Sequence, residues 1–330
     1  MEACLITGST GFIGMALAKT LAEQGRPLHL LVRSPEKARS LETEGVTLFK
    51  GDITDVASLE AAMKGTTHVF HLAALAKQVS KDTADFDRIN VEGTRNVLEC
   101  ALKYNIRKVV YTSTAGVFGT TGADEEADEN RKKPDGYTTE YERTKKISED
   151  ICREYSGRGL NITLAYPTRV FGPGIVTESN AVTKIISLYT KGKWRIIPGN
   201  GKTYGNYVYI EDVVRGLILA MEKGADAQGY ILGGQNVTFN ELFMTIKSCS
   251  AKKYHLIHIP YPVLWFAGLV MLAAGKLTHT PPLITPVWIR RYLQHRRLSS
   301  SKAIKDLGYR VTPLDEGISR TMEWLKNQPS

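Results

Sequence analysis

Over its first 110 residues the chain alternates short apolar runs with longer stretches of mixed apolar and polar residues. "ACLIT", "LHLLV", "VTLF", "HVFHLA" and "KVVYTS" read as strands, and residues 12 to 25, 35 to 44, 55 to 63 and 83 to 104 between them read as helices. A helix over roughly 137 to 157 and a strand at "NITLAY" continue the series. Six strand–helix units in this order argue a parallel, doubly wound α/β sheet. Beyond Pro167 the pattern loosens: "FGPG", "IPGNGKTYG" and "THTPPLITP" punctuate helical stretches near 180 to 191, 211 to 223 and 239 to 250. The expected organisation is an α/β lobe over 1–166, to which the chain returns near 207–234, and a smaller, loop-rich lobe over 167–330.

Composition narrows this. With 330 residues, 42% of them hydrophobic and 23% charged, the chain can bury a large core, which excludes disorder as the default. The longest apolar run, "VLWFAGLVMLAA" (263 to 274), is well short of the ~20 residues that span a bilayer, so it reads as core, lid or interfacial element. The N-terminus enters an apolar run by residue 3 with no basic segment or signal core ahead of it, and a cytosolic protein is expected. Cys4, Cys100, Cys152 and Cys249 are scattered, without a CxxC pair or histidines at zinc spacing, so buried free thiols are expected rather than disulfides or a metal site. The net charge of +9 is uneven: Lys247 to Arg310 holds eleven basic residues and one acid, Asp306, and the remainder is nearly neutral. Such a basic stretch beside an apolar segment can attract anionic lipid, nucleic acid or a phosphorylated substrate, or be no more than a solvated face.

"LITGSTGFIG" sets Gly8, Gly11 and Gly14 directly after the first strand and at the opening of a helix. Glycines there allow a tight turn and bring a pyrophosphate close to a helix N-terminus, where unpaired amides and the helix dipole favour negative charge. The first lobe is thus read as Rossmann-like and NAD(P)-binding. Dinucleotide folds often carry an acid at the end of the second strand for the ribose 2′-hydroxyl; here "LLVRSPEK" offers Arg33, which suits a 2′-phosphate and points to NADP, with NAD the other option. Asp52, in "GDITD" after the third strand, could accept a hydrogen bond from an adenine amino group while Ile53 packs on the ring; a helix cap by Asp52 is the structural alternative.

"YERTK" places Tyr141 and Lys145 one helical turn apart. The same spacing recurs in "YNIRK" and "YTKGK", but the first runs into a strand and the second carries Gly192 where a helix would end. A free tyrosine, with a pKa near ~10, is poorly matched to proton transfer at neutral pH, and a neighbouring ammonium favours its phenolate.

The ordered set TGxxGxxG, "GDITD", "HLAA", "NVEGTRNV", "VVYTSTAGVFG", "YERTK", "YPTRVFGPG", "YVYIEDVVRG", "YILGG" and "DLGYRVTPLDEGI" covers almost the whole chain. It resembles the extended short-chain dehydrogenase/reductase superfamily, which includes NAD-dependent epimerases and dehydratases. Within it the chain is most similar to the branch of dihydroflavonol reductases and 3β-hydroxysteroid dehydrogenases. The resemblance implies Tyr141 as general acid/base, Lys145 on the nicotinamide ribose, and a hydroxyl after the fifth strand on the substrate oxygen. Alignment on the closing glycine puts Thr114 in that position, with Ser113 one residue away. It implies cofactor contacts from Gly8, Thr10, Gly11, Phe12, Ile13, Ala73 and Ser113, and places Pro167 and Val170 at the nicotinamide carboxamide. Asn90 resembles a supporting asparagine, and His71 is read as satisfied core. The stretches 75 to 86 and 120 to 136 lie where the superfamily admits substrate, with "KKPDGY" closing one side.

Three functions follow. An NADP(H)-dependent reductase or dehydrogenase acting on a ketone or secondary alcohol is favoured by Arg33, and the apolar "YPVLWFAGLV" suits a hydrophobic substrate. A nucleotide-sugar epimerase or dehydratase retaining NAD, and a non-catalytic nucleotide sensor, are the alternatives. The expected partner is a small-molecule substrate and no nucleic acid; peripheral membrane association through 247–310 and a homodimer stay open.

Overall fold

The computed structural model describes residues 2–76, 82–175, 180–278, 289 and 293–328, without the side chains of 273–278. Most of "THTPPLITP", the basic pair Arg290 and Arg291, and 77–81 after "HLAA" lie outside the described residues.

Seven parallel strands form the central sheet: β1 (Ala3–Thr7), β2 (Leu28–Val32), β3 (Val46–Lys50), β4 (Thr66–His71), β5 (Lys108–Thr112), β6 (Ile162–Pro167) and, from far down the chain, β10 (Gly229–Leu232), in the order β10-β6-β5-β4-β1-β2-β3. Alternate side chains on each strand serve opposite faces. Leu5, Val69, Val109, Tyr111 and Leu164 join the core under α2 (Val56–Met63), α4 (Gly93–Lys103) and α5 (Glu140–Gly157). Ile6, Phe70, Val110 and Ala165 join the core under α1 (Phe12–Glu23) and α7 (Ile210–Lys223). Both faces are covered, which is why the strands read as nearly continuous apolar runs.

A smaller assembly follows. β7 (Arg169–Phe171), β9 (Tyr204–Tyr209) and β11 (Gln235–Thr238) make one small sheet, and β8 (Ile196–Pro198) pairs with β12 (Ile257–Ile259) in another. Around them run α6 (Ala181–Thr190), α8 (Phe239–Cys249), α9 (Tyr261–Thr278), α10 (Ser301–Leu307) and α11 (Leu314–Lys326). No described helix is long and apolar enough to cross a membrane.

Three expectations change. Residues 35 to 44 form two single 3₁₀ turns, Pro35–Lys37 and Arg39–Leu41, closed by i→i+3 bonds such as Ala38 N–H to the Pro35 carbonyl. A stretch this short is marginal as a helix without a broad apolar face to pack, and here only Ala38 and Leu41 are buried. The helix expected over 83 to 104 begins with the turn α3 (Ala84–Phe86), widens into a π turn at Asp87–Glu92 and resumes as α4. The helix expected from 137 starts at Glu140, because the Thr139 hydroxyl accepts the Glu142 N–H and caps it there.

Candidate active site

The strand order reverses between β1 and β4, and a cavity of about 670 Å³ opens beyond their carboxyl ends. Gly8, at φ +79°, makes the turn out of β1, and a Cβ there would sit 2.6 Å from the Ala73 nitrogen. At Gly14 a Cβ would fall 2.1 Å from the Gly8 carbonyl oxygen. These two glycines are required by the chain's own packing. Gly11 differs: its Cβ would meet only the Gly8 carbonyl, at 3.2 Å, and the residue lines the cavity. It is also the N-cap of α1, without a capping side chain or an acid in the first turn, so the helix presents open amides to the cavity.

Thr10, Phe12, Ile13, Arg33, Asp52, Ile53, Ala73, Ser113, Thr114, Tyr141, Lys145, Pro167 and Val170 line this same cavity. Sequence positions spread over 160 residues are thereby brought together. Asp55, not Asp52, caps α2. Asp52 instead accepts the Thr54 N–H and hydroxyl through one oxygen, at 2.9 and 2.8 Å, and its other oxygen lies 3.9 Å from the Arg33 guanidinium.

At the opposite end α5 carries Tyr141 and Lys145 on one face. Lys145 is 2% exposed, with its ammonium 4.3 Å from the centre of the Tyr111 ring. Burial lowers its pKa to about 8, so it keeps its charge at neutral pH. The two candidate hydroxyls have different partners. Ser113 is buried and donates to the Glu149 carboxylate at 2.5 Å. Thr114 accepts the Gly116 N–H at 3.2 Å, which leaves its own proton available to the cavity.

Beneath the cavity a hydrogen-bond chain ties β1, β4 and the π turn together. The Thr94 hydroxyl donates to the Asn90 carbonyl at 2.6 Å, so it accepts from His71 Nε2 at 3.0 Å. His71 Nδ1 then accepts from the Thr7 hydroxyl at 2.7 Å. Both nitrogens of the neutral ring are satisfied, and burial holds its pKa down to about 3. Asn90 bonds the Leu75 backbone on both sides and the Thr144 hydroxyl, fastening the loop after β4 to α5. Its role is support.

"KKPDGY" does not close the cavity: none of its residues lines it, and four of them line another cleft. There Lys133 pairs with the fully buried Glu149 and packs over Phe118 and Tyr166. The preceding stretch is tied to residues 295–298, with Thr121 N–H on the His295 carbonyl and Ala127 bridged to Leu298. The sequence reading passes over two residues. Lys37 lines the cavity one turn after Arg33, legible only as the lysine of "RSPEK". Glu149 sits one turn beyond Lys145, an acid whose burial no spacing reveals. Among the described residues no group of histidine, cysteine and acidic side chains could hold a metal. Cys4, Cys100 and Cys152 are buried thiols, Cys100 pushed up to about 11 by burial, whereas Cys249, also expected to be buried, is partly exposed.

The donor set fits a dinucleotide. It combines the open side of Gly11, the α1 amides, and the buried hydroxyls of Thr112 and Thr168, which line the cavity and have no partner among the described residues. This sheet and this site define an NAD(P)-dependent oxidoreductase of the extended short-chain dehydrogenase/reductase type. The chain belongs to the NAD dependent epimerase/dehydratase family, whose model matches residues 4–233. It is 28% identical to a putative dihydroflavonol 4-reductase of Synechocystis sp., over 98% of this chain and 94% of that one. It is 27% identical to sterol demethylase protein B of Methylococcus capsulatus, over 98% of both. The Thermus thermophilus UDP-glucose 4-epimerase in complex with NAD shares the fold, with a TM-score of 0.79 over 98% of this chain and 99% of that one at 24% identity.

Proposed function

We propose that the protein transfers a hydride between NADP(H) and a ketone or secondary alcohol of a fairly hydrophobic substrate, with Tyr141 as general acid/base. The observation that carries this reading is that Tyr141, Lys145 and Thr114 open onto the same cavity as Arg33 and Lys37. When bound, the nicotinamide would give the hydride in reduction of a ketone and take it in oxidation of an alcohol. The chain does the rest: Thr114 holds the substrate oxygen, Tyr141 gives or takes its proton, and Lys145 keeps a positive charge one turn from the phenol. The α1 amides would hold the pyrophosphate, and Arg33 and Lys37 would hold the 2′-phosphate.

Both cations stand at the end of β2 and the turn after it, where an acid would repel a phosphate. The dihydroflavonol-reductase and sterol-processing names of the relatives support a hydrophobic substrate. The decisive experiment combines release and binding of cofactor. An empty site that prefers NADPH supports the reading; NAD retained until denaturation would replace it with an epimerase or dehydratase cycle. Arg33→Ala should weaken NADPH by at least about tenfold more than NADH, as expected for a charge-assisted phosphate contact of roughly 1.5–3 kcal/mol. Equal weakening of both sinks the 2′-phosphate assignment.

A further inference from the structure

Between Tyr261 and Val270 only Leu264 and Gly268 of α9 are buried, a single stripe four residues apart. Around it Tyr261, Val263, Trp265, Phe266, Leu269 and Val270 are exposed, Phe266 by 69%. A helix apolar on most of its circumference is normally buried, and contiguous apolar surface on this scale marks an interaction site.

The fold brings cations to the same region from two distant segments. β12, which leads into α9, pairs with β8, and the Ile257 N–H bonds the Arg195 carbonyl. Arg195 stacks its guanidinium 4.7 Å from the Tyr254 ring, so the turn holding Lys191 and Lys193 lies against the segment holding Lys252 and Lys253. All five cations are exposed, and neither 180–210 nor 247–305 contains an acid. Among the described residues their side chains form no ion pair.

We propose that α9, β12 and these five cations dock the protein on an anionic lipid bilayer, with the apolar side chains seated at the headgroup boundary. A second copy of the chain would bring the same acid-free positive surface against itself. A bilayer with anionic lipid complements both the charge and the apolar face. The inference does not depend on the catalytic reading.

The test is flotation of the full chain with phosphatidylcholine vesicles, with and without phosphatidylserine. Binding should require phosphatidylserine and disappear at high salt, where screening shortens electrostatic reach. Each Lys→Ala change at Lys191, Lys193, Lys252 or Lys253 should weaken it roughly fivefold. Phe266→Glu should abolish it with Tm unchanged; should Tm fall, the lysine variants and the salt series decide, since they leave the helix intact. The proposal is overturned by failure to float with phosphatidylserine, or by equal flotation on neutral vesicles. A salt-stable dimer that Phe266→Glu dissolves would also overturn it, assigning the face to self-association.

Discussion

Tyr141 and His71 show how differently two titratable residues near one cavity are used. Tyr141 opens onto the cavity, and Tyr141→Phe should remove most turnover, at least about a hundredfold for a general acid, while cofactor binding stays nearly intact. Near-normal turnover would refute its role as proton donor. His71 is locked between Thr7 and Thr94 with no lone pair to spare. Its folded pKa of about 3 lies below the ordinary value of 6.5, so between pH 6.5 and 3 the unfolded chain binds a proton that the folded chain does not. Its stabilising contribution is complete above pH 6.5 and is lost as pH falls toward 3, with a slope of at most about 1.4 kcal/mol per pH unit. Thermal melts of wild type and His71→Gln at pH 7 and pH 5 should show a smaller acid-induced drop in Tm for the variant. At this scale the glycine turn is legible because backbone geometry restricts it to few alternatives, and the spacing in "YERTK" foretells that Tyr141 and Lys145 share a helix face. Lys37 and Glu149 are not, because their importance comes from burial and cavity position, which only the folded chain supplies.

At the scale of elements, alternating apolar periodicity locates every strand of the central sheet up to β6, since strands covered on both faces cannot avoid an apolar sequence. Where packing is local and shallow, as in residues 35 to 44, the same periodicity overstates regularity. The π turn is invisible to it because Asp87–Glu92 departs from the α-helical period, and its Asn90 reaches the Thr144 hydroxyl on α5. For the proposed proton transfer the start of α5 matters most, because Tyr141 sits in its first turn and Thr139 caps it. Thr139→Ala should lower stability by about 1 kcal/mol and reduce turnover by loosening that turn, and Thr139→Ser should restore both. Denaturant melts paired with steady-state assays check this; an alanine variant with full stability would show the cap to be unimportant.

Across the whole molecule, a buried ion pair joins α5 to a segment more than 150 residues further along the chain. Arg296 donates to Glu142 at 2.9 Å, with the arginine 7% and the glutamate 1% exposed, beside the tyrosine's own turn and the Gly116 backbone. Arg296→Leu removes a buried partner of the Glu142 carboxylate and should cost up to roughly 3–5 kcal/mol, much of it recovered in the Glu142→Leu/Arg296→Leu double variant. Equal losses in both variants would mean that the pair is not a coupled unit. The chain beyond Pro167 was the less legible part of the sequence, since its small sheets are assembled from three- to six-residue strands far apart in the chain. β10 has a further consequence. Because Gly229–Leu232 pairs with β6, the edge of β6 stays unpaired on the ribosome until the chain has been made well past residue 232. The apolar β6 edge is exposed to neighbouring nascent chains throughout that interval, so slow translation between residues 167 and 232 would lengthen the period of greatest aggregation risk.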